Sequence, residues 1–340
     1  MQSKVIITLL AAQTALNQLD VERAEDNQSP LHAHDFRSRL LFADLGNGLD
    51  IEYYGDVWDD GEPCVWQIFL DALTQPVVAN NLTSLRITGA DEGANGSRTH
   101  DFADLLSTTT QFPGLVNLFI RPSGVTDHNM VDIKPQQIAN MIARCPKLQS
   151  LTLPHPPEAD FFEKPLPHLH YLRTGMGWQT HDFIKHLAKS QTMPSLGVLD
   201  FTDSLNVFRQ NLSDKEQKGF EATPAETAST HDFLKSLGFD NETLLAAETA
   251  SRTAQTEIAN AGTVDDSITS YEDYAALLKS TPIKLIHLRN AYLNQSQYSA
   301  LHALKPDVQL SASLEAPHEY IAHWQGRFNT PFKHLIIKNQ

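Results

Sequence analysis

Apolar residues recur along the chain in a short pattern: two large apolar residues lie three positions apart, and a third follows two positions later. The best-formed copies are Leu115/Leu118/Ile120, Leu148/Leu151/Leu153 and Leu196/Leu199/Phe201. Looser copies begin at Leu82, Leu169 and Ile283. Apolar and polar positions alternate at the end of each copy. Each copy therefore predicts a strand that buries one face and leaves the other face polar.

A second motif, Thr-His-Asp-Phe, predicts helices that connect these strands. It occurs in residues 99–106, 180–187 and 230–237. Thr is a good N-cap because its hydroxyl accepts a free backbone N–H, and Asp in a first turn suits the positive end of the helix dipole. The Phe and the Leu four residues later share one helical face, which we expect to pack on the core. The His has no evident structural role.

The pattern divides the chain into five parts. We expect an apolar helix and a polar linker in 1–35, and a cap of two strands and a helix in 36–78, with Trp66, Phe69, Leu70 and Leu73 on one helical face. Strand–loop–helix repeats fill 79–204, with starts spaced 21 to 33 residues apart. Residues 205–265 lack the pattern and suggest an insertion or degenerate repeats. The strand pattern resumes in 266–340, where the last ten residues, PFKHLIIKNQ, suggest a closing strand.

These repeats resemble the leucine-rich-repeat superfamily, in which such strands stack side by side. Three stretches, residues 69–90, 145–154 and 288–313, also resemble irregular cytoplasmic bacterial leucine-rich-repeat proteins. The resemblance implies an α/β solenoid, or horseshoe, with irregular repeats, an N-terminal α/β cap and a protein-binding role. It supplies no catalytic motif. The 205–265 segment departs from the family pattern and leaves the repeat count open.

Charge narrows the range of partners. The net charge of the 340 residues is -15, and no basic stripe is visible. Binding to nucleic acid or to an anionic membrane surface is therefore disfavoured, because both need clustered Lys and Arg. We expect a monomer, since the pattern predicts a cap at both ends of the repeat array.

The two cysteines, Cys64 and Cys145, lie too far apart in sequence for a disulfide framework or a zinc motif. We expect Cys145 to be a buried free thiol, which fits a reducing, cytoplasmic location. Residues 1–18 leave an alternative open, because Lys4 and the apolar run after it imitate a short signal peptide.

The residues between the apolar positions of each strand face the concave surface of a horseshoe. Arg and aromatic side chains, which are enriched in protein-binding hot spots, recur there. We expect a protein partner, with an acidic patch, to bind this face. The predicted contact residues are Arg86, Phe119, Arg121, Tyr171, Arg173, Asp200, His287 and Arg289.

The fifteen histidines suggest a rival hypothesis, a metal- or ligand-dependent enzyme with His168, His170 and His181 at one rim. Stacked repeats align equivalent residues along an axis, whereas zinc needs three or four ligands that converge on one point. Nucleotide-binding, serine-hydrolase and zinc-protease motifs are absent from the sequence. We therefore predict a non-enzymatic binding protein without cofactor or metal.

Overall fold

A computed structural model of the chain describes residues 2–25, 38–46, 48–55, 64–88, 96–99, 110–124, 129–133, 136–204, 235 and 267–313. These residues form a mixed α/β structure with a nine-stranded sheet and a separate two-stranded sheet. The strands are β1 (Leu40–Asp44), β2 (Leu49–Tyr54), β3 (Leu82–Thr88), β4 (Gly96–Thr99), β5 (Asn117–Ile120), β6 (Asn129–Asp132), β7 (Ser150–Leu153), β8 (Tyr171–Thr174), β9 (Val198–Thr202), β10 (Leu285–Arg289) and β11 (Gln309–Ser313).

Helices connect most of these strands. They are α1 (Gln2–Glu25), α2 (Val65–Leu73), α3 (Pro76–Ala79), α4 (Gln137–Ile142), a 3-10 helix (Ala159–Glu163), α5 (Phe183–Lys189), α6 (Tyr271–Ser280) and α7 (Gln295–Leu304). Successive connections touch: α4 contacts the 3-10 helix, the 3-10 helix contacts α5, α5 contacts α6 and α6 contacts α7. None of the described helices combines the length and the apolar character needed to cross a bilayer.

The nine-stranded sheet follows the order of the chain. Strand β1 pairs antiparallel with β2, and every later pairing is parallel, in the order β2, β3, β5, β7, β8, β9, β10 and β11. Strands β1 and β11 lie at opposite edges, so the sheet is not closed. The predicted α/β class is confirmed in this form.

One buried apolar position of each parallel strand contributes to a single row across the sheet. Cross-strand pairing aligns eight side chains in register, and all are buried: Ile51, Leu85, Leu118, Leu151, Leu172, Leu199, Ile286 and Leu310. The buried side chains of the helices join this row in one hydrophobic cluster that extends from Val5 to Leu310. The pattern seen in the sequence is therefore the pattern that builds the core.

The two strands and the helix predicted for residues 36–78 are present. Strands β1 and β2 and helix α2 form where expected, and Trp66, Phe69, Leu70 and Leu73 are buried. Helix α1 packs on α2, α3 and β1. Its inner face buries residues spaced alternately four and three apart, namely Val5, Leu9, Ala12, Leu16 and Leu19. Strand β2 pairs with β3 and so belongs to the parallel array.

The predicted N-cap role of Thr180 is wrong. Helix α5 begins at Phe183, and its N-cap position is Asp182, whose side chain makes no capping hydrogen bond. His181 and Asp182 both have left-handed backbone conformations, which places Thr180 too far back to cap. Its hydroxyl donates instead to the Ser267 carbonyl, at 3.1 Å. The expected burial of Phe183 and Leu187 is confirmed.

Other predictions fall beyond the described residues. Thr99 ends β4, and residues 100–106 of the first Thr-His-Asp-Phe copy lie outside them. The copy at 230–237 and the segment 205–265 lie outside as well, apart from residue 235, as does the closing strand proposed in 331–340. The parallel pair formed by β4 and β6 was not predicted.

Both cysteines are free, as expected. Cys145 is buried, and its thiol donates to the Met141 carbonyl at 3.3 Å. Burial raises the pKa of this thiol to about 12, an effect that the neighbouring Arg144 only partly opposes. The prediction of a buried free thiol at this position is confirmed.

A buried carboxylate joins the two ends of the long connection between β9 and β10. Asp203 follows β9 and is fully buried. Its Oδ1 accepts hydrogen bonds from the backbone N–H of Ser204 and of Thr269, at 2.8 and 3.2 Å, and its Oδ2 accepts from the Tyr274 hydroxyl at 2.8 Å. We call Asp203, Ser204, Thr269 and Tyr274 the Asp203 cluster. Residues at either end of this connection thus converge on one side chain.

Burial of Leu16 predicts that α1 contributes to stability. Leu16 has no exposed surface, whereas 47% of Leu10, on the opposite side of the helix, is exposed. We expect Leu16→Ala to lower the free energy of unfolding by about 2–4 kcal/mol, because it leaves a cavity. The matched Leu10→Ala change should cost less than about 0.5 kcal/mol. Urea unfolding followed by circular dichroism measures both, and equal effects would contradict the packing of α1.

The Asp203 cluster predicts a pH-dependent stability. Desolvation raises the pKa of Asp203 to about 7 and outweighs the hydrogen bonds that favour the carboxylate. In the unfolded chain this carboxyl titrates near about pH 4. Between these values the unfolded state ionises first, so the free energy of unfolding falls by up to about 1.4 kcal/mol per pH unit as pH rises. Below this range both states are protonated, and above it both are ionised.

The free energy of unfolding of the wild type should therefore fall between about pH 4 and pH 7, and in Asp203→Asn this fall should be absent. The measurement is the free energy of unfolding in urea at several pH values. Asp71→Asn, which removes an exposed carboxylate on α2, is the control and should leave the wild-type profile unchanged. Parallel profiles for wild type and Asp203→Asn would show that Asp203 titrates normally in the folded protein.

Candidate functional site

Side chains between the buried positions project from the opposite side of the sheet. The central ones form a continuous row: Glu52, Arg86, Phe119, Thr152, Arg173, Asp200, His287 and Ser311. We call this row and the residues two positions before or after its members on each strand the polar face. All eight predicted contact residues belong to this surface, with Arg121 one position beyond the end of β5. Glu52 and Ser311, at its two ends, were not among the predicted contacts. Glu52 lies in the segment assigned to the cap, and Ser311 lies in a stretch interpreted as an incomplete last repeat.

Arg86 is held near the first edge of the polar face. Its guanidinium carbon lies 4.6 Å from the centroid of the Phe119 ring, a cation–π geometry. Its Nε lies 3.9 Å from a Glu52 carboxylate oxygen, and the other oxygen of Glu52 accepts from the Thr88 hydroxyl at 2.9 Å. Since 47% of the Arg86 side chain stays exposed, this group remains accessible.

Asp200 organises a second group of charges near the middle of the sheet. Arg289 donates to both its carboxylate oxygens, from Nε at 2.7 Å and from a terminal nitrogen at 3.0 Å. Arg173, its direct cross-strand neighbour, places Nε 3.6 Å from the Asp200 carboxylate. Only 12% of the Asp200 side chain is exposed. One largely buried carboxylate therefore faces two arginines.

Tyr171 lies two residues before Arg173 on the same face of β8. Burial raises the pKa of its hydroxyl above the ordinary value, and the nearby Asp200 carboxylate raises it further. Arg173 and Arg289 oppose this shift through their positive charge. The hydroxyl is consequently protonated at neutral pH and available as a hydrogen-bond donor.

His287 is the neighbour of Asp200 in the row, but its ring nitrogens form hydrogen bonds with the next strand, β11. Its Nδ1 lies 2.8 Å from the Ser311 hydroxyl and its Nε2 lies 3.0 Å from the Ser313 hydroxyl. Both ring nitrogens therefore face β11. This arrangement fixes the ring against the last strand of the sheet.

The histidine hypothesis finds no metal site among the described residues. Within those ranges no three His, Cys, Asp or Glu side chains are grouped so that they could hold an ion. His170 is exposed and its Nδ1 lies 3.0 Å from the Ser195 carbonyl oxygen. His181 is near His155, with 6.3 Å between ring centroids, and His155 Nε2 accepts from the backbone N–H of Ile133.

Comparisons of the chain with protein-family models, with curated proteins and with solved structures found no match. The interpretation of the polar face therefore depends on its own geometry.

The Asp200 group predicts a stability cost when its central carboxylate is neutralised. Asp200→Asn keeps the side-chain shape but leaves Arg173 and Arg289 without their counter-charge. We expect the free energy of unfolding to fall by about 1–3 kcal/mol. The control is Asp307→Asn, which removes an exposed partner of Lys284 and should have no measurable effect. Urea unfolding measures both, and an unchanged midpoint for Asp200→Asn would contradict this account.

Proposed function

We propose that the chain is a leucine-rich-repeat protein whose nine-stranded sheet lines the inner side of a solenoid, and that it binds a protein partner on the polar face. It performs no catalysis in this proposal, and it uses neither a metal nor a cofactor. The partner presents acidic groups to the face. Such a protein acts by holding another protein in place.

The strand order supports the solenoid part of this proposal. Eight parallel strands follow one another in chain order, and the same apolar position of each strand contributes to one buried row. Repeat proteins stack equivalent units in this way, so that each unit contacts mainly its neighbours. The irregular spacing of the repeats falls in the connections rather than in the strands.

The proposal that the polar face binds a protein rests on one observation, the continuous row of polar and aromatic side chains across those strands. Arginine and aromatic residues contribute more than their share of binding energy in protein interfaces. Here they are already held by neighbours, Arg86 by Phe119 and Arg289 by Asp200. Side chains that are ordered before binding lose less entropy when a partner arrives. Arginines outnumber carboxylates among the described residues of the polar face, which favours an acidic partner.

The test compares charge reversal on the polar face with charge reversal on the helices. Arg86→Glu/Arg173→Glu changes the polar face, and Lys185→Glu/Lys279→Glu makes the same change of net charge on exposed positions of α5 and α6. We expect a protein captured by the wild type and by the helix variant to be recovered at least about tenfold less with the face variant. Mass spectrometry identifies it, and calorimetry with the purified partner checks direct binding.

A folding control accompanies this test, because Arg173→Glu places like charges beside Asp200. Ser84→Trp adds bulk to the polar face without changing its charge and should also weaken binding. Circular dichroism must show that each variant is folded. If the folded face variants and the helix variant capture the same proteins equally well, the polar face is not the binding surface.

A further inference from the structure

The arginines of the polar face differ in how far their hydrogen-bonding capacity is already used. Arg289 gives two short hydrogen bonds to Asp200 and has 21% of its side chain exposed. Arg86 stacks on Phe119 and lies at the outer limit of an ion pair with Glu52. These two arginines therefore have structural partners that a ligand would have to share or displace.

Arg173 is in a different position. Its Nε lies 3.6 Å from the nearest Asp200 oxygen, too far for a hydrogen bond, and this buried nitrogen has no hydrogen-bond partner among the described residues. The side chain keeps 31% of its surface exposed, and it is this part, not the covered Nε, that a ligand can reach. A hydrogen bond from a guanidinium to a carboxylate is among the stronger ones, because both groups are charged.

The charge balance around Arg173 also favours an incoming anion. Asp200 alone would repel a second carboxylate, but its charge is already compensated by the two hydrogen bonds from Arg289. Because Arg173 and Arg289 share this one carboxylate, the group keeps a net excess of one positive charge. Tyr171, on the same strand and face, adds a hydroxyl within hydrogen-bonding range of the Arg173 guanidinium. Strand β8 also lies well inside the sheet, and interface hot spots cluster near the centre.

We infer that Arg173 and Tyr171 form the anchor for a carboxylate of the protein partner, an Asp or Glu side chain, and that Asp200 and Arg289 are positioning residues for this anchor. The guanidinium and the hydroxyl donate to the ligand carboxylate, in the planar geometry that arginine gives to carboxylates. This inference rests on the proposed function, since it names the chemical group that the polar face recognises.

The experiment uses the full chain and two fluorescein-labelled peptides, hexaglutamate and hexaglutamine, in an anisotropy titration at fixed low salt. Wild type should bind hexaglutamate at least about tenfold more tightly than hexaglutamine. Arg173→Gln should abolish this preference, and Arg173→Lys should lose most of it, because lysine lacks the bidentate fork. Tyr171→Phe should weaken hexaglutamate binding several-fold. Lys279→Gln, the same loss of charge on α6, should bind as wild type does.

Three results would overturn the anchor: equal binding of the two peptides, hexaglutamate binding that survives Arg173→Gln in folded protein, or displacement by inorganic phosphate at the concentration at which free glutamate displaces it. Binding of the captured partner to the same variants distinguishes a wrong anchor from a wrong proposed function. If the partner binds wild type, tolerates Arg173→Gln and is lost with Ser84→Trp, the polar face binds protein without this anchor. If Ser84→Trp also leaves partner binding intact, the proposed function itself fails.

Discussion

The row of apolar side chains that crosses the nine-stranded sheet in register is the constraint on which the rest of the structure depends. Leu118, Leu151 and Leu172 each pack against an equivalent residue on both sides and have no exposed surface. A shift of one residue in any pairing would turn a strand over and place polar side chains in this core. The same register that buries the leucines therefore fixes which residues share the polar face. Core packing and the candidate binding surface are two consequences of one pattern.

The connection between β9 and β10 is the longest between paired strands of the sheet. The strands pair directly although Asp200 and Arg289 are separated by 89 positions, and bringing distant parts of a chain together costs entropy. Contacts between the two ends of this connection offset that cost. Phe201 packs against Tyr274 in the core, and Asp203 accepts hydrogen bonds from Thr269 and Tyr274. Because these hydrogen bonds converge on one buried carboxylate, the pairing of β9 with β10 is linked to the protonation of Asp203.

Much of this fold could be predicted from the sequence, because the repeat pattern encodes the buried face and the polar face of each strand together. The order of the strands and the central row from Arg86 to His287 follow from it. The start of α5 could not be predicted, because two successive left-handed residues, His181 and Asp182, displace it from Thr180. The pairing of Asp200 with Arg289 was also out of reach. The pattern places both residues on the polar face, but it does not specify which charged side chains there bond to each other.

The charges around Asp200 are not arranged as stability alone would favour. Burying a carboxylate between two arginines removes all three from water, and apolar residues of similar volume often stabilise such positions more. Row neighbours such as Thr152 show that a small side chain fits on this face. Arg173 makes no hydrogen bond to Asp200 from Nε at 3.6 Å, and this buried nitrogen has no acceptor among the described residues. Such an arrangement costs stability within the fold, and it is explained if the exposed part of Arg173 serves to bind another molecule. The inferred carboxylate anchor is therefore centred on Arg173 rather than on Arg289, whose guanidinium already donates two hydrogen bonds to Asp200.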